Sequence, residues 1–316
     1  MSPNSWTCLH PSNATEAKLS LDNRGLAYGD GFFTTMGVID GQILWLDYHQ
    51  QRLVSHATAL QLQLDSQLLL AMLKIHAKQL QQGMLKLIIT RAEQEVRGYG
   101  YTPNTGGGSA CEIWLKSSPM AITTARSLPL ADGQFIPLQP TASAICLSSQ
   151  IACLPPTLAG LKSLNRLDNV LASGELQAIK AKTLADTIKP SIAEGLLRDM
   201  SGQWVEGTMS NVFYQLVEAP VAKSSNRPHS QNNSSNYLTQ GQWYTPSMAQ
   251  SGVAGVMRQV IIDTLSTSNN PVIIRSLQDE DLPHLSQLFF CNALRGIMPM
   301  SSLRLLSGEV VSFEAI

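Results

Sequence analysis

The chemistry in this chain centres on one lysine. Lys162 lies in Leu158-Ala159-Gly160-Leu161-Lys162-Ser163-Leu164-Asn165-Arg166-Leu167, between a glycine and an apolar run. Leu161, Leu164, Leu167 and Leu171 recur at three- and four-residue steps. That spacing predicts a helix with the leucines on its buried face and Lys162 at its mouth. Two readings of Lys162 stand open. In one, it is a solvated cation whose stem lies along apolar surface. In the other, burial lowers the amine from its ordinary value of about 10.4 and frees the neutral form to make a Schiff base with a carbonyl cofactor.

Three further features suit a cofactor with an aromatic ring and a phosphate. Glu206 ends a strand and is followed by Gly207-Thr208-Met209-Ser210-Asn211. A carboxylate there can keep a ring nitrogen protonated, so that the ring acts as an electron sink. Gly255-Val256-Met257 opens a helix, and Asn292-Ala293-Leu294 follows a strand. Backbone N–H groups at a helix start favour a phosphate, and Arg52 on an early helix adds a guanidinium fork. Each feature also has a plain reading: a strand-end acid, a helix start, a surface arginine. Taken together they would hold pyridoxal phosphate.

The elements that must position these groups follow from local pattern. Residues 21–46 read as strands, with Asp40-Gly41 as a two-residue hairpin between Val38-Ile39 and Ile43-Leu44. Before it, the two glycines of Tyr28-Gly29-Asp30-Gly31 suggest a backbone that passes close to something. Asp47 is placed as the cap of a helix running to about Leu62. A second helix, from Ser66 to Gln82, points Leu69, Leu70, Leu73 and Ile75 inward. Met84–Arg91 and Cys111–Lys116 read as strands, with Arg97–Tyr101 and Gly106-Gly107-Gly108 as a loop. Prolines between Ser117 and Gln139 suggest a linker. The expected division is therefore an N-terminal domain over 1–122, a linker over 123–139 and a C-terminal domain over 140–316. Residues 218–240, rich in Ser, Asn, Gln and Pro, read as a disordered insertion.

Composition sets the class. A chain of 316 residues suggests about two domains. A net charge of -1 argues against nucleic acid or an anionic membrane as the main partner. No apolar run approaches the ~20 residues of a membrane span. The start shows no basic region followed by an apolar one, so no signal peptide is expected. The cysteines at 8, 111, 146, 153 and 291 are odd in number and never spaced CxxC. They read as reduced thiols in the cytoplasm, and the histidines show no metal-ligand pairing, so no metal is expected.

Seven ordered motifs then carry a resemblance. They are Tyr-Gly-Asp-Gly-Phe-Phe-Thr-Thr (28–35), His-Gln-Gln-Arg-Leu (49–53), Arg-Gly-Tyr (97–99) and Leu-Ala-Gly-Leu-Lys-Ser-Leu-Asn-Arg-Leu (158–167). Trp-Val-Glu-Gly-Thr-Met-Ser-Asn-Val-Phe (204–213), Gly-Val-Ala-Gly-Val-Met-Arg (252–258) and Cys-Asn-Ala-Leu-Arg-Gly-Ile-Met-Pro (291–299) complete the set. The chain resembles the fold-type IV pyridoxal-phosphate enzymes of the branched-chain aminotransferase group, and within it the aminodeoxychorismate lyases. The resemblance implies an α+β fold of two domains. The smaller is an N-terminal α/β domain, the larger a C-terminal domain with a pseudo-barrel, and the cofactor sits between them. It implies a homodimer acting on a small molecule, with loops of the partner bordering the active site. Lys162 would carry the Schiff base and move protons, and Glu206 would pair with the pyridine nitrogen. Arg52, the amides of Val256 and Met257, and Asn292-Ala293 would hold the phosphate. Arg97, Tyr99 and Thr34 or Thr35 would face the substrate. The implied reaction splits 4-amino-4-deoxychorismate into 4-aminobenzoate and pyruvate; a branched-chain or D-amino-acid aminotransferase is the alternative. One departure stands out: relatives often carry an arginine just after the Thr-Thr pair, where this chain has Met36-Gly37.

Overall fold

The computed structural model describes residues 6–10, 18–103, 108, 110–122, 126–129, 135–183, 191–217, 238, 240–266 and 268–313. The chain forms two compact units, Met1–Thr123 with Pro155–Leu167, and Thr124–Leu154 with Asp168–Ile316.

The first unit contains β1 (Trp6–His10), α1 (Arg24–Tyr28), β2 (Gly31–Ile39), β3 (Gln42–Ile43), α2 (Leu46–Ala59), α3 (Ser66–Leu80), β4 (Gly83–Arg91) and β5 (Cys111–Pro119). Among the described residues its sheet runs β1-β5-β4-β2-β3, antiparallel throughout. Asp40 and Gly41 both take positive φ, 52° and 70°, as the expected hairpin requires. Alternation along β2 buries Phe32, Thr34, Met36 and Val38, and its apolar members join Leu53 of α2 and Leu69 and Leu73 of α3 in one core. Phe33 and Thr35 point the other way.

Three local expectations are corrected here. Residues 21–46 are not all strand, because Asn23 caps the short helix α1 through its side chain. The N-cap of α2 is Trp45, in a left-handed conformation, and Asp47 falls in the first turn. The connection from β3 is too short to place the start later. In α3, Leu69, Leu70 and Leu73 are buried, but Ile75 is 57% exposed. Two residues beyond Leu73 is the far side of a helix.

The second unit contains β6 (Arg126–Pro129), β7 (Phe135–Leu138), β8 (Ala142–Ile151), most of α4 (Leu167–Thr183), β9 (Ile192–Asp199), β10 (Trp204–Gly207) and β11 (Asn211–Leu216). Then follow β12 (Tyr244–Thr245), α5 (Val256–Leu265), β13 (Ile273–Ile274), β14 (Leu285–Asn292), β15 (Gly296–Arg304) and β16 (Val310–Ser312). Strand β14 pairs with both β11 and β15, which closes β8-β9-β10-β11-β14-β15 into a ring. This is the expected pseudo-barrel. Alternate residues feed two cores: Ala144, Cys146 and Leu196 enter one, while Ile145, Leu147 and Leu197 enter the other. Both faces of these strands are therefore dry.

Residues read as linker include β6 and β7, which pair with each other, and Ile136 and Leu138 are buried. The prolines obscured a short apolar strand. The chain also returns to the first unit over Pro155–Leu167. The expected insertion at 218–240 falls outside the described residues except at 238 and 240, and Gly106 and Gly107 also fall outside them.

Candidate active site

Lys162 is not at a helix mouth. It lies in an extended segment laid beside the start of β2. Phe33 N donates to Lys162 O at 3.0 Å, Leu164 N donates to Gly31 O at 3.0 Å, and Ser163 bridges to Phe32. Helix α4 begins only at Leu167, and it buries Ala172 and Leu176, while Leu167 and Leu171 are 79% and 71% exposed. The leucine spacing misled because its first two members belong to the extended segment. The glycines of Tyr28-Gly29-Asp30-Gly31 explain themselves here. A Cβ on Gly29, at φ +65°, would lie 2.0 Å from Asn165 Oδ1, and one on Gly31 would lie 2.3 Å from Ile89 O. Backbone does pass close there, as expected.

A histidine that sequence reasoning missed fixes the lysine's backbone. Lys162 N donates to His56 Nε2 at 2.9 Å. His56 must therefore carry its hydrogen on Nδ1, which faces Ser55 Oγ at 3.2 Å; Ser55 Oγ in turn donates to Arg52 O at 3.1 Å. Burial, then Arg52, Arg166 and Lys162, push His56 down to about 3, which keeps the ring neutral and Nε2 an acceptor. Burial and then the charge of Arg166 lower Arg52 to about 10. Three cations thus share one neighbourhood of the first unit, a setting that suits an anion. Arg166 Nη2 donates to Leu161 O, and its buried Nε has no hydrogen-bond partner among the described residues. The Lys162 ammonium stands 4.6 Å over the Phe33 ring.

The Thr pair separates. Thr34 is fully buried, with Oγ1 3.0 Å from His49 Nδ1, so it faces the core. Thr35 shares the face of Phe33. Arg97 and Tyr99 sit in an exposed loop, Tyr99 at 84%. Arg24 holds that loop by donating to Gly98 O and Tyr99 O, and Asp30 accepts from both Arg24 Nε and Arg91 Nε at 2.9 Å.

In the second unit Glu206 is buried, 3% exposed, and not a solvated strand-end acid. Its Oε2 accepts from Val253 N at 2.8 Å, and its Oε1 lies 3.5 Å from Asn169 Nδ2. The bond to Val253 ties the carboxylate to the loop that starts α5. That helix has Gly255 as N-cap with no side-chain cap, so its first amides carry no side-chain acceptor. Gly255 is required by packing, since a Cβ there would lie 1.9 Å from Asn211 Oδ1. Asn292 Oδ1 accepts from Leu294 N and Arg295 N, closing the turn between β14 and β15.

Two further groups escaped the sequence. Buried Glu194 accepts from Thr208 N, Thr208 Oγ1 and Ser210 Oγ, and so shapes the turn after Glu206. The alternating acid in Ile192–Asp199 was the available signal. Asn169 touches Glu206, and its own buried Oδ1 has no partner among the described residues. The groups gathered in each unit fit pyridoxal phosphate: an amine beside clustered cations in one, a buried carboxylate tied to an uncapped helix start in the other. Among the described residues no group of three or more His, Cys, Asp or Glu could hold a metal ion.

Comparison with known proteins agrees with this chemistry. The model of amino-transferase class IV matches residues 31–303. An aminodeoxychorismate lyase of Vibrio harveyi is 23% identical over 289 residues, which cover 91% of this chain and 88% of that protein. The crystal structure of 4-amino-4-deoxychorismate lyase from Pseudomonas aeruginosa is 29% identical, with 95% of this chain and 92% of that chain covered and a TM-score of 0.69. A branched-chain amino acid aminotransferase of Escherichia coli is similar in fold, at 19% identity and a TM-score of 0.63, with 91% of this chain and 82% of that chain covered. The chain belongs to the class IV aminotransferase family and is a fold-type IV enzyme that works with pyridoxal 5'-phosphate.

Proposed function

We propose that this enzyme is a lyase that converts 4-amino-4-deoxychorismate to 4-aminobenzoate and pyruvate. The observation that carries this reading is the Lys162 segment. Its Lys-x-Leu-Asn-Arg-Leu form (162–167), with Cys-Asn-Ala-Leu and Met-Pro at 291–299, resembles the lyases, and the segment is built into the fold: Lys162 on His56, Asn165 against Gly29, Arg166 beside Arg52. The likeness to two proteins described as lyases supports it.

When bound, pyridoxal phosphate supplies a carbonyl for the substrate amine and a ring that accepts an electron pair. Lys162 would supply the amine that holds the cofactor, and as a free amine it would take the proton from C4 of the substrate. Its backbone is fixed on both sides, so the amine swings from a fixed Cα, which favours one approach to the C4–H bond. Glu206 would pair with the pyridine nitrogen and keep it protonated. Arg52 in the first unit, and Val256 N, Met257 N and the Asn292-Ala293 turn in the second, would hold the phosphate; the Asn292 side chain serves its own turn. After the C4–H bond breaks, the C3–O bond breaks, and enolpyruvate leaves and gains a proton as pyruvate. The ring becomes aromatic, and nothing is oxidised overall.

The enzyme works as a homodimer, and Arg97, Tyr99 and Thr35 face the substrate, whereas Thr34, buried against His49, does not. The enzyme acts in the cytoplasm, in keeping with cysteines at 8, 111, 146, 153 and 291 that form no disulfide among the described residues. The test mixes holoenzyme with substrate made in place by a synthase and follows 4-aminobenzoate by chromatography. Product that vanishes with Lys162→Ala is expected. A cofactor-loaded wild type that makes no product, yet transfers the amino group of an added amino acid to an added keto acid, would make it an aminotransferase, the reading favoured by the fold it shares with the Escherichia coli enzyme.

A further inference from the structure

We infer that Lys86 binds the ring carboxylate of the substrate, beside the aromatic ring that also carries Lys162; the inference rests on the lyase reading above. The argument lies wholly within the first unit. Lys86 Nζ stands 5.5 Å from the centroid of the Phe33 ring, the same ring that carries the Lys162 ammonium at 4.6 Å. The two nitrogens are therefore within about 10 Å of each other, the most those two distances allow. Both cations thus border one aromatic ring, and Phe33 offers a bound six-membered ring an apolar floor.

Register sets Lys86 on the same face as Phe33 and Thr35. Lys86 on β4 lies directly opposite Thr35 on β2, and Gly37 is paired with Met84, two residues from Lys86 along the same strand. Met36 is fully buried in the core, so an arginine at that position would be driven into apolar packing. Position 37 shares the face of Phe33 and Thr35, but glycine brings no side chain to it. Lys86 projects from the neighbouring strand onto that same face and supplies the charge.

The face is electrostatically incomplete without an anion. Lys86 pairs in register with Lys116 on β5. Like charges directly opposite on adjacent strands destabilise a sheet. Among the described residues no carboxylate forms an ion pair with either lysine. Glu112 shares this face of β5, but its carboxylate accepts from Asn23 Nδ2 and Trp114 Nε1. A carboxylate against Lys86 relieves the repulsion and gains a charge-assisted hydrogen bond.

The test compares wild type, Lys86→Met, Lys86→Arg and the exposed Lys74→Met, each as holoenzyme. Calorimetry measures binding of 4-aminobenzoate and of aniline, which lacks the carboxylate. Wild type and Lys74→Met should prefer 4-aminobenzoate by at least tenfold. Lys86→Met should lose that preference without changing aniline binding, and Lys86→Arg should keep it within threefold. With aminodeoxychorismate, Lys86→Met should raise KM at least tenfold and change kcat less than threefold. A wild type without the preference, or a Lys86→Met that keeps it, overturns the inference. A wild type that shows the preference yet releases no 4-aminobenzoate from aminodeoxychorismate overturns the lyase reading and leaves the carboxylate site standing.

Discussion

Acid should loosen the first unit through two buried histidines, and the size of the effect follows from their surroundings. His49 is fully buried, and burial with the charge of Arg52 lowers it to about 3. His56 is also lowered to about 3, by burial and then by Arg52, Arg166 and Lys162. In the unfolded chain both would titrate near the ordinary value of 6.5. Between those values the unfolded state binds more protons, so folding stability falls as pH falls. The contribution is whole above pH 6.5 and is lost on the way down. Going from pH 7 to pH 5 removes about 2 kcal/mol per histidine, or about 4 kcal/mol for the pair, a large share of a typical folding free energy. Protonation of His56 would also remove the acceptor that holds Lys162 N. The assay is urea unfolding at pH 7, 6 and 5 for wild type and His56→Gln, read at the first transition because two units need not unfold together. The glutamine of that variant cannot gain a proton, so it should lose about 2 kcal/mol less than wild type over that range. Titrating carboxylates affect both proteins and cancel in the comparison. Equal pH dependence, or a His56 imidazole that titrates near pH 6.5 by NMR in the folded enzyme, would refute the reasoning.

Three other variants test the site. Glu206→Gln keeps an acceptor for Val253 N and removes the charge, so the unfolding midpoint should hold while turnover falls on the order of 10²-fold or more. Gly255→Ala puts a methyl into Asn211, and should cost about 1–3 kcal/mol and weaken cofactor binding, measured by titrating the apoenzyme with pyridoxal phosphate. Asp30→Ala strands Arg24 and Arg91, whose side chains are 6% and 4% exposed, and should cost about 3 kcal/mol or more in thermal or urea unfolding.

Local pattern was enough to place much of this protein. The hairpin at Asp40-Gly41, the core face of α3 up to Leu73, the strands around Glu206 and the start of α5 at Gly255 depend on turn chemistry and short-range periodicity, and these are written in neighbouring residues. The motifs also carried the family. Tertiary structure decided what each motif does. The leucines around Lys162 fit a helix by spacing, but hydrogen bonds to Phe33 and Gly31, far away in the chain, hold the first part extended. Whether Thr34 or Thr35 meets a ligand depends on which face of β2 packs on α2, a one-residue distinction that composition cannot make. His56 and Glu194 act by accepting from backbone and side chains that are distant in sequence or lie across a turn, Lys162 N in one case and the Thr208-Ser210 turn in the other. Lys86 gains meaning only from register, which sets it opposite Thr35 and beside the ring under Lys162. A periodic pattern says which side of an element is dry; only long-range pairing says which groups share that side.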